Sequence, residues 1–206
     1  MKDSSASNRH ERIREWPGGG WHSQALRTIL PAILTLILFF ATVYVIALPS
    51  MRRIAMDAEK EKISELGETV HGLVQDYHAR VLSGELSEDE ARARAARRIG
   101  ALRYGPEGQD YFWITDIDCT MVMHPYRRDL EGKGVRDFED PTGKRLFSEF
   151  VEAVAGDGEG YVDYWWQWKS DSTRIVPKHS FVKLFEPWGW IIGTGIYVED
   201  AYAEID

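Results

Sequence analysis

Residues 28–49, TILPAILTLILFFATVYVIALP, contain no charged side chain and consist almost throughout of Leu, Ile, Val and Phe. As a helix this run is long enough to cross a hydrocarbon layer about 30 Å thick, which takes about 20 residues. A buried core helix would need amphipathic partners beside it, and the flanking sequence suggests none. A cleaved signal peptide has a shorter apolar core, about 7–15 residues, closed by a small-residue cleavage site. Here the run instead leads into Leu48-Pro49-Ser50-Met51-Arg52-Arg53, so it reads as an uncleaved membrane anchor. Lys2, Arg9, Arg12, Arg14 and Arg27 precede it, and Arg52, Arg53, Lys60 and Lys62 follow it. The positive-inside asymmetry is slight, and charge alone leaves the orientation open.

Residues 1–27 are polar, carry a Pro-Gly-Gly-Gly break and lack apolar periodicity, so they are expected to be an unstructured tail, with Trp16 and Trp21 near the membrane interface. Of the chain's 25 basic and 33 acidic side chains, five and three lie in this tail, which leaves the remainder ten charges negative. That is the wrong sign for a phosphate-backbone binder and argues against a nucleic-acid partner. Cys119 is the only cysteine, which excludes an intrachain disulfide and a cysteine-built zinc cage.

Beyond the anchor, Ile54, Ala58, Ile63, Leu66, Val70, Leu73, Val74, Tyr77, Val81 and Leu82 recur at threes and fours between charged residues. The pattern predicts a long amphipathic helix over 51–82, continuous with the anchor and laying one apolar stripe on a domain. Gly84 breaks it, and Ser87-Glu88-Asp89-Glu90 is a capping box opening a second helix to about Leu102. Residues 111–115 and 120–124 predict a hairpin around Asp116-Ile117-Asp118-Cys119. A helix carrying Leu146, Phe147, Phe150, Val151 and Val154 follows, and then strands near 160–168, 175–185 and 188–198. Strands grouped in hairpins with helices against them make an α+β domain with a mainly antiparallel sheet of about five strands.

No nucleophile elbow, Walker loop, zincin helix or dinucleotide fingerprint is present. Gly193-Thr194-Gly195 lies inside a strand, where it reads as close backbone approach or as room for a neighbouring aromatic. Asp116 and Asp118 lack the further ligands of a calcium loop and read as turn carboxylates. His71 and His78, seven apart on one helix, read as packing histidines rather than metal ligands, and no metal or other cofactor is expected. His124, taken alone, reads as structural.

The aromatics say more. Tyr161, Tyr164, Trp165, Trp166, Trp168, Trp188 and Trp190 are too many for one face of a thin core. Strand alternation puts Tyr164 and Trp166 on one side and Tyr161 and Trp165 on the other. An aromatic-walled cavity with a few polar tips accounts for those the core does not need. Lys178 and Lys183 are cations within these strands, and by parity they face opposite ways. One of them is thus a candidate to grip an anion.

Leu102-Arg103-Tyr104-Gly105, Asp110-Tyr111-Phe112-Trp113-Ile114, Met123-His124-Pro125, Glu131-Gly132-Lys133, Asp140-Pro141-x-Gly143, Gly158-x-Gly160-x-x-x-Tyr164, Pro177-Lys178-x-Ser180, Val182-Lys183 and Pro187-Trp188-Gly189-Trp190-x-Ile192-Gly193-Thr194-Gly195 occur in that order. Together they resemble the single-Cache type 2 sensor domain over residues 54–200, a likeness far more specific than any one piece. The resemblance implies a PAS-like Cache fold, with a long membrane-proximal helix packed on the sheet and a pocket between sheet and loops. It implies a periplasmic or extracellular sensor of bacterial chemoreceptors and sensor kinases, anchored in the plasma membrane by 28–49, with residues 1–27 cytoplasmic and 50–206 forming the sensor. The expected ligand is a small solute, above all a short-chain carboxylate, and the expected role is transmembrane signal transduction without catalysis by this stretch.

Carried over residue by residue, the candidate ligand-binding set is Tyr111, Trp113, His124, Tyr164, Trp166, Lys178, Ser180 and Lys183. Trp188 and Trp190 are expected to help wall core and pocket. The chain departs from the family pattern at Cys119, where glycine is frequent, at Phe181, where a tyrosine hydroxyl would be available to the ligand, and at His179, where an apolar residue is common. Receptors of this kind continue into a second membrane helix and a signalling module, so an output module beyond Asp206, a signalling partner or a homodimer through the long helix is expected. Two other readings compete. One is a membrane-anchored scaffold binding protein through exposed aromatics, and the other is a hydrolase pairing His124 with Asp116 or Asp118.

Overall fold

The computed structural model describes residues 21–105 and 107–203, with the side chains of 26–105 and 107–201. The tail expected over residues 1–27 lies outside the described residues up to residue 20. The chain divides into two compact units, Met1–Pro49 and Ser50–Asp206.

The first unit is helical. Helix α1 spans Trp21–Thr42 and passes into a π-helical turn, Val43–Ala47. It begins seven residues ahead of the expected Thr28, because Ser23, Gln24, Ala25, Leu26 and Arg27 hold no glycine or proline to break it. Its apolar side chains, among them Leu30, Leu34, Phe39 and Phe40, are exposed. By length and composition this segment, with a mean hydropathy of 2.6 in its most apolar window, is able to cross a membrane.

The second unit begins within helix α2 (Leu48–Leu82), which ends two residues before Gly84, a residue at φ 76°. Helix α3 (Glu88–Ala101) starts at Ser87, whose hydroxyl accepts from the Glu90 N–H at 3.3 Å, so the capping signal in the sequence is used. Strands β1 (Phe112–Asp116) and β2 (Met121–Met123) form the predicted hairpin. Asp116 closes its turn by accepting from the Thr120 N–H at 2.7 Å. Cys119 sits there at φ 61°, the left-handed conformation for which glycine is favoured, and its burial explains why a side chain is nonetheless kept. Helix α4 (Leu146–Val154), β3 (Glu159–Trp168), β4 (Asp171–Phe185), β5 (Trp190–Tyr197) and a short α5 (Val198–Ala203) complete the chain.

The five strands form one antiparallel sheet in the order β2-β1-β5-β4-β3. The chain thus has the expected α+β architecture. Each face has its own core. On one, α2 and α3 bury Val70, Val74, Ala95 and Ile99 against Phe112, Ile114, Phe185, Trp188, Trp190 and Ile192. His71 and His78 pack edge-on against the Phe185 ring there, at 5.5 and 5.6 Å between centroids, as packing histidines do. On the other, α4 and the loops cover Tyr111, Trp113, Val162, Tyr164, Trp166 and Val182 with Leu146, Phe147 and Phe150.

Candidate functional site

Period-two alternation decides what reaches the α4 face. Tyr164 and Trp166 are each 5% exposed, whereas their neighbours Tyr161 and Trp165 are 44% and 40% exposed on the opposite side. Cross-strand pairing then aligns Val162 with Ser180, Tyr164 with Lys178, Ser180 with Gly195 and Lys178 with Tyr197. The aromatic layer closes only because β5 has glycines here. A Cβ at Gly193 would stand 2.3 Å from the Trp113 ring, and one at Gly195 would stand 2.2 Å from the Ser180 hydroxyl. The Gly-x-Gly therefore serves close packing, as its place inside a strand suggests.

At the centre of this layer lies Lys178, 1% exposed. Its Nζ donates to the Tyr111 hydroxyl at 3.0 Å. It also sits 4.1, 4.9 and 4.8 Å from the ring centroids of Tyr111, Trp113 and Tyr197. Among the described residues it has no carboxylate within ion-pair distance. Burial pulls its ammonium down to about 7, with Asp110 the one charge opposing that fall. Taking a charge out of water without a partner is costly, so the ammonium is held in a place where a bound anion would stabilise it.

Around it the polar tips converge. The Tyr164 and Ser180 hydroxyls share a hydrogen bond of 2.9 Å. The Trp113 and Trp166 indole N–H groups are buried without an acceptor among the described residues. His124 is neutral, because burial, reinforced by the positive charges of Lys178 and Arg127, drives its pKa well below the usual value. Its Nδ1 accepts the backbone N–H groups of Tyr126 and Arg127 at 3.2 and 3.0 Å, which puts the ring proton on Nε2. Trp113, His124, Tyr164 and Trp166 with Leu146, Phe147 and Phe150 enclose a cavity of about 10 Å³, room for roughly one water.

Seven of the eight candidates, Tyr111, Trp113, His124, Tyr164, Trp166, Lys178 and Ser180, thus gather on one face. Lys183 does not. It lies on the helix side, paired with Glu68 and with Glu159, the latter at 2.7 Å. Trp188 and Trp190 also belong to the helix-side core, so they wall no part of this chamber. Phe181 packs on Gly67 and Ile63 of α2. A hydroxyl missing there takes nothing from the chamber, because odd-numbered residues in this part of β4 face the helix. His179 follows the same parity, stacked on Tyr161 at 5.2 Å between centroids. Among the described residues no hydrogen bond joins His124 to Asp116 or Asp118: His124 Nδ1 accepts from backbone N–H groups, and Asp116 closes the hairpin turn. Tyr197 and the α4 residues Phe147 and Phe150 line the layer without having been singled out. Parity with Gly193 and Gly195 was a signal for Tyr197, while α4 carried only a core-like stripe.

Helices α2 and α3 on one face of an antiparallel sheet, with a lysine caged by aromatics on the other, make an α+β domain. The chain belongs to the Single Cache domain 2 family, whose model matches residues 55–206. It is 36% identical over 174 residues to the methyl-accepting chemotaxis protein McpP of Pseudomonas putida, covering 83% of this chain and 31% of that protein. To the sensor histidine kinase MctS of Rhizobium johnstonii it is 35% identical over 119 residues, covering 57% of this chain and 25% of that one. The chain therefore spans less than a third of the length of these curated relatives. Among solved structures it resembles a periplasmic sensor domain of a chemotaxis protein (44% identity, TM-score 0.66, 69% of this chain and 97% of that one). It also resembles a Cache chemosensory domain studied for carboxylic acid recognition (38% identity, TM-score 0.66, 69% and 95%).

Proposed function

We propose that the chain is the membrane-anchored, periplasmic input part of a chemoreceptor or sensor kinase, and that its ligand is a short-chain carboxylate bound in the chamber around Lys178. The observation that carries this reading is a buried ammonium with no carboxylate partner among the described residues, on the same sheet face as two indole N–H donors that also lack acceptors there. A carboxylate has two oxygens to satisfy both kinds of donor, and charge-assisted hydrogen bonds are the strong ones. The methyl or ethyl tail of such a ligand would lie among Leu146, Phe147 and Phe150. Identity to the carboxylic-acid-recognising Cache domain supports the same class.

The cavity between Trp113, His124, Tyr164, Trp166 and α4, about 10 Å³, is too small for acetate and does not reach Lys178, so binding requires α4 and its flanking loops to part from the sheet. Such a ligand acts only through its difference in affinity for the closed and opened arrangements. A path to the membrane-side helix follows from parity. Lys178 and Ser180 face the chamber, while His179 and Phe181 between and beside them face the other way, with Phe181 against Gly67 of α2. A small displacement of β4 on ligand binding therefore bears directly on α2.

Isothermal titration of the full chain in lipid nanodiscs with acetate, propionate and butyrate tests the proposal. Saturable heat that vanishes in Lys178→Met is expected. Absence of heat and of any thermal shift across the panel overturns it.

A further inference from the structure

A second cavity, about 220 Å³, opens between Tyr104, Glu107 and Asp110, Lys169 just after β3, Ile196 and Tyr197 of β5, and residues of α2 and α5. Its lining carries four carboxylates, Glu59, Glu107, Asp110 and Asp200, against two ammonium groups, Lys62 and Lys169. Lys62 pairs with Glu59 at 3.1 Å. Lys169 pairs with Glu107 at 2.9 Å and Asp200 at 3.4 Å. Asp110 is left over. It is 9% exposed, and its buried Oδ1 has no hydrogen-bond partner among the described residues. Its backbone is fixed by a two-way bridge with Tyr104, N–H to carbonyl at 3.1 and 3.2 Å.

We propose that this cavity is a second binding site, taking a small organic cation with a primary ammonium group that donates to Asp110. A buried carboxylate oxygen without a donor is among the costlier features a fold retains, and a charged donor is what relieves it. An aromatic wall favours the same ligand. The Tyr104 hydroxyl is already bonded to Thr194 at 2.6 Å, so this residue offers the cavity its ring, which attracts cations, whereas the Tyr197 ring already has the Lys178 ammonium 4.8 Å from its centroid. A bare metal ion fits less well. Among the described residues no group of three or more His, Cys, Asp or Glu is placed to hold one. The space exceeds one water's share of liquid volume, about 30 Å³, several-fold and so accommodates a ligand of several heavy atoms.

The position gives the site a consequence. Asp110 belongs to the body of the sheet domain and Asp200 to α5, and both face this cavity. A cation between them would tie α5 to the domain, so occupancy would bias the element through which the chain leaves the sheet. The cavity is not lined by Lys178 and its ligand differs in sign from a carboxylate, so the two readings are tested separately although Tyr197 borders both places and Asp110 acts on the Lys178 charge.

Calorimetric titration of the full chain in nanodiscs with ethylammonium chloride, against sodium chloride at equal ionic strength, tests it. Saturable binding of ethylammonium but not sodium is expected, with affinity falling about tenfold or more in Asp110→Asn, the loss that follows from deleting one charge-assisted hydrogen bond. Lys178→Met, and wild type pre-saturated with acetate, are expected to keep that binding. No saturable heat, equal heat from sodium, or an Asp110→Asn affinity within about twofold of wild type overturns the proposal. Should circular dichroism show that Asp110→Asn does not fold, Asp200→Asn carries the comparison, and an unchanged affinity there overturns it equally.

Discussion

Replacing Lys178 with Met should stabilise the ligand-free protein while abolishing its response to carboxylates. An unfolded lysine keeps its proton up to about 10.5, whereas the buried one releases it near 7. Each tenfold change in proton affinity is worth about 1.4 kcal/mol, so holding this group charged in the fold below pH 7 costs on the order of 5 kcal/mol. Between the two values the unfolded chain binds more protons, and stability therefore rises with pH. From pH 7 to 8.5 the gain is roughly 1.5 kcal/mol, which for a domain of this size moves the melting temperature by roughly 3–6 °C. That window lies above the titration of His71 and His124, both of which burial pushes below the usual histidine value, and below that of the buried tyrosines and Cys119. Differential scanning calorimetry of wild type and Lys178→Met in nanodiscs at pH 7, 7.75 and 8.5, with and without saturating propionate, reads the effect. Wild type should melt higher as pH rises without ligand. With propionate the slope should flatten, because a paired ammonium keeps its proton. Lys178→Met should melt higher than ligand-free wild type at pH 7, show no such slope and ignore propionate. A wild-type melting temperature that is flat or falls across this window, or a propionate shift that survives in Lys178→Met, refutes the reasoning.

Trp166→Phe removes one unpartnered indole N–H while keeping an aromatic wall. Calorimetry should show carboxylate affinity weakened about tenfold with melting little changed. Gly193→Ala places a methyl 2.3 Å from the Trp113 ring, and chemical denaturation should register a loss of about 1–3 kcal/mol together with weaker carboxylate binding. Asp140 accepts from the Thr142 N–H and hydroxyl, the Lys144 N–H and the Trp165 N–H at 2.8, 2.6, 3.1 and 3.0 Å. Asp140→Ala should therefore cost roughly 3 kcal/mol in the same assay. Lys183→Met removes only partly exposed ion pairs and should change stability by less than about 1 kcal/mol, with carboxylate affinity untouched.

Local patterns made much of the architecture legible. The uncharged run 28–49, the capping box at Ser87, the hairpin around Asp116 and the alternation along β3 are each written within a few neighbouring residues, where spacing and turn chemistry act directly. Parity even declared that Lys178 and Lys183 face opposite ways. It could not say which face would carry the chamber. That was decided by tertiary packing, since α2 and α3 cover one side of the sheet and α4 with its loops covers the other. Contacts that define the chamber join distant residues, such as Lys178 with Tyr111, 67 positions apart. They exist only because antiparallel pairing brings β1 beside β5 and β5 beside β4. The same reason accounts for Trp190 and Phe181, whose aromatic character suited either face and whose strand parity sent them to the helices, and for Trp188, carried there by the 3-10 turn Glu186–Trp188 that precedes β5. It accounts also for Asp110, an ordinary loop carboxylate in the sequence. Only its meeting with α2, β5 and α5 in the fold leaves its Oδ1 buried with no hydrogen-bond partner among the described residues.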